Sequence, residues 1–247
     1  MCKILLISGH GAGDPDAIGT HNGTTYKESE LTRELTLRIK SALEAGYVCE
    51  VERYPSNRNA YYDLMSNNLA MPLSGYTYVL EVHFNAIRAN KDGEIKGAEI
   101  YSAAGKKDTA TESYILSGIE TTGMDIDRGK KVYDWAVITN AQRKGSSAAL
   151  LEVCFIDDED DMSLYLKSKE QIAEGIAKGI AAGCLLEERK NEMQRYSDVK
   201  PDNWFYDAVE KVSDAGLMQG SDGKFRPNDT VTRAEMATIL SRLLERK

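Results

Sequence analysis

Three histidines occur in the 247 residues, His10, His21 and His83, and two of them stand where an apolar run gives way to polar residues. His10 follows the run Lys3 to Ser8, and His83 closes the stretch that begins at Tyr76. If both runs are strands of one sheet, both imidazoles reach its carboxyl edge, where open α/β sheets bind ligands. Two imidazoles and one carboxylate, with a fourth position left open, form the ligand set of catalytic zinc. Glu28, in the first turn of the next helix, can supply the carboxylate, with Glu30 and Glu34 as competitors. Read singly, each histidine is equally a surface or hydrogen-bonded residue, and Glu28 a favourable charge at a helix N-terminus.

Glu152 interrupts Ala148 to Phe155, a run otherwise fit for a buried strand. A carboxylate there is costly without a partner or a purpose. Metal, hydrogen bonds or catalysis each satisfy it, and a carboxyl raised by partial burial suits a base activating water near neutral pH.

The elements that must position these residues alternate. Residues 3 to 8 read as a buried strand, and Gly11 to Thr25, rich in Gly, Asp, Asn and Thr, as a loop. Leu31, Leu35, Ile39 and Leu43 mark a helix over 28 to 44 that Gly46 stops. Strands follow over 47–53, 76–83, 97–102 and 148–155, and helices over 57–69, 108–122 and 169–186. Such alternation predicts an α/β fold with a mostly parallel twisted sheet flanked by helices. The charge-dense stretch 187–195 reads as a linker. Helices over 203–215 and 232–244, separated by turn residues, form a small all-α helix-loop-helix module, small enough to lean on the larger domain or on other copies of itself.

A formal charge of -8 without a basic patch excludes nucleic acid as a partner. No apolar run reaches membrane-spanning length, so membrane insertion is not expected. The run Ile4 to Ile7 is too short for a signal peptide, which predicts synthesis in the cytoplasm. The four cysteines, Cys2, Cys49, Cys154 and Cys184, show no CxxC spacing and read as reduced, mostly buried thiols.

Taken in order, Ile7 to Gly11 with Asp14, Pro15 and Gly19, then Tyr26 to Glu28, Leu80 to Ala86, Gly97 to Tyr101 and Leu150 to Phe155 resemble the zinc N-acetylmuramoyl-L-alanine amidases of the amidase-3 type, including phage endolysins. The resemblance covers residues 3 to 186. It implies one zinc ion on His10, Glu28 and His83, Glu152 as the general base, and hydrolysis of the amide between N-acetylmuramic acid and L-alanine in peptidoglycan. The interval from Glu28 to Gly46 favours Glu28 over Glu30. Asp127 to Gly129 also resembles a family segment, without a role for Arg128. Cys154 departs from the family's small residue and reads as a packing residue.

The C-terminal residues Tyr196 to Val199, Trp204 to Val209, Gly216 to Gly220, Gly223 to Pro227 and Thr230 to Glu235 resemble a single S-layer homology repeat. That resemblance implies binding to anionic secondary cell-wall polysaccharide, with Trp204 and Arg233 as contacts and Arg233 the charge partner. Members usually carry three such repeats, so one copy implies a homo-oligomer or weak binding. The expected organisation is a catalytic domain over 1–186, a linker over 187–195 and the repeat over 196–247. The leading expectation is a phage or prophage lysin that acts on the wall after release. Rival readings are a zinc peptidase acting on stem peptides, although the histidine spacing differs from HExxH, and a wall-binding protein without activity.

Overall fold

Ile4, Leu5, Leu6 and Ile7 are all fully buried in the first strand, β1 (Lys3–Ser8), in the computed structural model, which describes residues 1–11, 13–87, 95–106, 110–189 and 195–244. Four consecutive buried positions require a strand covered on both faces. The chain divides into two units, Met1–Arg189 and Lys190–Lys247.

In the first unit β2 (Ile18–His21) and β3 (Thr24–Lys27) precede α1 (Glu28–Gly46), β4 (Glu50–Arg53), α2 (Ala60–Met65) and β5 (Tyr78–Asn85). There follow β6 (Glu99–Ser102), α3 (Ala110–Glu120), β7 (Gly129–Val132), α4 (Ala136–Arg143), β8 (Ser147–Phe155) and α5 (Glu159–Gly183). The main sheet has the order β4-β1-β5-β8-β6-β7. β4, β1, β5 and β8 run parallel, and β6 and β7 run against them.

Side-chain alternation sorts this sheet into two cores. Ile4, Leu6, Tyr78, Leu80, Val82, Ala149 and Leu151 pack with α1, α3 and α5, whereas Leu5, Ile7, Val79, Ala148 and Leu150 pack with Ala60 of α2 and with Val137, Ile138 and Ala141 of α4. α3 and α5 approach backbone to backbone at Gly118 and Gly175, where a Cβ on Gly118 would lie 2.1 Å from the Gly175 carbonyl oxygen. Only glycine permits that contact.

The structure departs from the sequence reading in several elements. The expected loop over 11–25 contains the β2–β3 hairpin, turned by Asn22 (φ 48°) and Gly23 (φ 75°). Asn-Gly is the preferred pair for a two-residue turn with positive φ at both positions. The helix expected over 57–69 contracts to α2, capped by Asn59, which accepts from the Tyr62 amide. β7 and α4 lie where no element was expected. Within α5 the helix expected from 169 follows a break at Ser168 (φ -122°, ψ 15°), and the unexpected part is the segment from Glu159, which Asp158 caps and to whose positive end Glu159, Asp160 and Asp161 bring negative charge.

In the second unit α6 (Tyr206–Asp214) and α7 (Arg233–Leu244) are joined by a long turn. Tyr196, Val199 and Val209 form its small core with Phe205, Tyr206 and Phe225. Asp198 accepts from the Phe225 and Arg226 amides and pins the turn. Thr232 and Glu235 cap α7 reciprocally, but α7 buries no residue and leaves Met236, Leu240 and Leu243 exposed along one stripe. No helix among the described residues is long and apolar enough to cross a membrane.

Candidate functional site

β1 ends at Ser8, Gly9 follows, and His10 then turns sharply with φ 55°. Left-handed backbone at a non-glycine residue is strained, and here it brings the imidazole over the sheet edge. The Gly9 amide still donates to the Val82 carbonyl at 2.8 Å, so β1 stays paired with β5 up to this turn. A Cβ on Gly9 would stand 2.4 Å from the His83 ring. Gly9→Ala is expected to push His83 aside and lower activity on the order of 10²-fold, checked by wall-hydrolysis rate against bound metal content.

Alternation along β5 places Val79, Glu81 and His83 on the α2/α4 face, and the same holds for Ala148, Leu150 and Glu152 on β8. Parallel register sets His83 directly beside Glu152. Glu28 reaches the same point from the first turn of α1 and is 1% exposed. Its Oε1 lies 2.9 Å from His83 Nδ1 and 3.5 Å from His10 Nε2, and it accepts from the Phe84 amide at 3.0 Å. Oε2 accepts from the Ala17 amide. One ligand atom from each of His10, Glu28 and His83 lies within 4.8 Å of the others. Glu30 is exposed and paired with Lys27, and Glu34 pairs with Arg38 and Lys169, so neither joins the group.

Asp14 orients His10: its Oδ2 lies 3.1 Å from His10 Nδ1 and accepts from Asn59 Nδ2 at 3.2 Å. Asp16 Oδ2 lies 3.0 Å from His10 Nε2. A carboxylate on one imidazole nitrogen fixes the tautomer that leaves the other for a metal. His21 sits elsewhere, buried on β2 near Asn22 and Ser163.

Burial would raise the Glu28 carboxyl, but the hydrogen bond and charge of His83, with His10, hold it below its usual value. Burial opposes charge on His83, yet Glu28 and Glu81 raise it well above the ordinary imidazole range. Burial pushes the Glu152 carboxyl up to about 8, against the attraction of His83 and with the repulsion of Glu28, Glu99 and Glu81. Glu152 Oε2 is buried and has no hydrogen-bond partner.

Two buried carboxylates beside His83 and Glu152 escaped the sequence reading. Glu81 is 5% exposed, its Oε1 3.5 Å from His83 Nε2. Glu99 is 1% exposed and stands in register with Glu152 on its other side. It accepts from Asn85 Nδ2, the Tyr101 hydroxyl, Arg128 Nε and Lys131 Nζ. Arg128 thus gains a contact, as the partner of Glu99, and it also lies over the Phe155 ring. The signal that marked Glu152, a carboxylate inside a strand run, applies equally to both.

Cys154 does not share the Glu152 face. β8 gains a residue opposite His83 to Asn85, and the bulge turns both Val153 and Cys154 into the apolar core. Burial raises its thiol well above the usual range, which suits packing rather than reaction. In the second unit Trp204 is 93% exposed and Arg233 is exposed at the start of α7.

His10, Glu28, His83 and Glu152 line one cavity of about 560 Å³, together with Asn59, Tyr61, Tyr62 and Trp135. The donor set fits a divalent cation: two imidazoles and one carboxylate converge, and the buried carboxylate of Glu81 and the half-buried one of Glu152 favour positive charge between them. An open α/β sheet with this group at the carboxyl ends of its strands has a layout suited to metal-assisted hydrolysis. Residues 4–182 match the family model described as N-acetylmuramoyl-L-alanine amidase, and the chain belongs to that family. Residues 195–237 match the S-layer homology domain.

Solved structures with similar folds include the catalytic domain of the amidase CwlV from Bacillus (Paenibacillus) polymyxa var. colistinus, at 19% identity and TM-score 0.56 over 76% of this chain and 100% of that one. A putative N-acetylmuramoyl-L-alanine amidase from Neisseria meningitidis matches at 23% identity and TM-score 0.59, over 76% and 98%. The CwlD amidase from Clostridioides difficile, in complex with the GerS lipoprotein, matches at 19% and 0.60, over 74% and 98%. Among curated proteins, exoglucanase XynX of Acetivibrio thermocellus and an amylopullulanase of Thermoanaerobacterium thermosulfurigenes are each 42% identical over 50 residues. That stretch is 20% of this chain and 5% and 3% of those proteins.

Proposed function

We propose that the chain hydrolyses the amide between N-acetylmuramic acid and the L-alanine of the stem peptide in peptidoglycan, and that its C-terminal module holds it on the wall. The convergence of His10, Glu28 and His83 beside Glu152, whose buried Oε2 has no hydrogen-bond partner, carries the reading. Zinc held by those three residues would supply Lewis acidity at the amide carbonyl. Glu152 takes a proton from the attacking water and delivers it to the leaving nitrogen as the C–N bond breaks, giving a lactyl carboxylate and a free L-alanine amine.

Digesting purified cell wall in the presence of zinc tests the assignment. New L-alanine amines support it, new peptide termini would assign a stem-peptide peptidase instead, and no new ends would leave a wall-binding protein without activity. The match to the S-layer homology domain favours an enzyme retained on the wall over a lysin released through a membrane lesion.

For the module, the proposed contacts to anionic secondary cell-wall polysaccharide are Arg233, as charge partner, and Trp204, both exposed. Deleting residues 196–247 is expected to weaken sedimentation with polysaccharide-bearing walls about tenfold while sparing hydrolysis of small muramyl peptides. Unchanged sedimentation would sink the binding role. The exposed stripe Met236, Leu240 and Leu243 on α7 supports a homo-oligomer formed through this module. A light-scattering mass well above the 27.4 kDa of one chain is the expected result, and a monomer mass refutes it.

A further inference from the structure

Four aromatic rings stay half exposed beside the cavity: Tyr61 (48%), Tyr62 (56%), Tyr133 (56%) and Trp135 (40%). Leaving rings of this size in water forgoes the burial that holds the rest of the fold together, and clustered exposure of this kind marks a binding surface. α2 packs against α4, which brings Tyr61 and Tyr62 near Trp135, the residue that precedes α4. Tyr61, Tyr62 and Trp135 line the same cavity as His10, Glu28, His83 and Glu152.

The rings are braced. Tyr133 and Trp135 pack at 4.6 Å between centroids and Tyr61 and Tyr62 at 5.5 Å. Tyr101 meets Trp135 edge-on at 6.1 Å, and the Tyr101 hydroxyl donates to Glu99 at 2.7 Å. Trp135 is therefore braced by Tyr133 and by Tyr101, itself tied to Glu99, and its free face costs little further ordering to use.

We propose that Tyr61, Tyr62, Tyr133 and Trp135 form a platform on which sugar rings of the glycan strand stack, placing a muramyl residue at the cavity. The inference rests on the peptidoglycan reading given above. One face of a pyranose ring presents weakly positive C–H groups, complementary to the negative face of an aromatic ring, and its equatorial hydroxyls remain in water when the platform is half exposed. A stem peptide carries charged carboxyl and amino groups that call for charged partners, and the four platform residues carry none. The uncharged glycan is the part of the substrate that matches them.

The test uses the full chain carrying Trp204→Phe, in which Trp135 is the remaining indole of the two. The probe is a β-1,4-linked N-acetylglucosamine oligomer, which has no peptide and lacks the lactyl–alanine amide of the proposed reaction. A saturable shift of the indole emission, lost in Tyr62→Ala, is expected. On long glycan strands Trp135→Ala and Tyr62→Ala should each raise KM about tenfold and move kcat less than about twofold, with Trp135→Phe restoring most of the loss. No emission shift together with unmoved KM in both variants overturns the platform and returns these rings to a protein-binding face. Oligomer binding without release of L-alanine amines from wall keeps the platform and removes the amidase reading, whereas amine release without oligomer binding does the reverse.

Discussion

Glu152→Gln is expected to keep the bound metal and lose about 10²- to 10⁴-fold in turnover, the range associated with a positioned general base. Glutamine preserves the shape and a hydrogen-bonding oxygen but cannot take up and return a proton. The measurement pairs metal content with the rate of L-alanine amine release from wall. Full activity would move the base role to another carboxylate, Glu81 being nearest to His83 after Glu28.

The same substitution carries a stability signature in chelator-treated protein. The unfolded carboxyl ionises near 4.5, while the folded one stays protonated up to about 8, chiefly through burial. Between those values the folded state binds more protons than the unfolded, so its stability falls as pH rises across that window. Glutamine removes the effect. The denaturant midpoint of Glu152→Gln should exceed that of the parent by a margin that grows from pH 5 to pH 8 and levels off above. A constant margin would mean the carboxylate is already ionised and paired.

Where a strand is covered on both faces its sequence is unmistakable, and β1, β5 and β8 were legible as apolar runs ending near His10, His83 and Glu152. α1 was legible from its leucine and isoleucine spacing, whereas the choice of Glu28 over Glu30 came from the family resemblance, through the interval from Glu28 to Gly46. The hairpin β2–β3 was not, because its exposed residues are polar and its one strong signal, Asn22-Gly23, lay inside a stretch already rich in turn residues. β7 is an edge strand of alternating exposure, Gly129 to Val132, with two lysines, too short and polar to stand out. Glu81 and Glu99 were hidden for different reasons. Glu99 takes its purpose from Asn85, Arg128 and Lys131, which tertiary folding brings to it and no single strand spells out, whereas Glu81 lies two residues before His83 on β5, inside an apolar run in which only the imidazole drew notice.

His83→Ala, by contrast with Glu152→Gln, is expected to lose metal and turnover together. His83 is the residue on which the other groups converge: Glu28 on one nitrogen, Glu81 near the other, Glu152 in register, and Gly9 reduced to a hydrogen to make room for the ring. Removing it leaves the buried Glu28 carboxylate with the Phe84 and Ala17 amides and, at 3.5 Å, His10 Nε2, and a donor set of one imidazole and one carboxylate, below the three protein ligands of catalytic zinc sites. Loss of Lewis-acid assistance worth several kcal/mol corresponds to a fall in rate on the order of 10³-fold. Competition with a chromogenic chelator gives the metal affinity, and His21→Ala, whose ring lies away from the cavity near Asn22 and Ser163, serves as the control that should retain both properties. Wild-type metal stoichiometry in His83→Ala would show that the cation sits instead on His10, Asp14 and Asp16, the other such group of ligand atoms among the described residues.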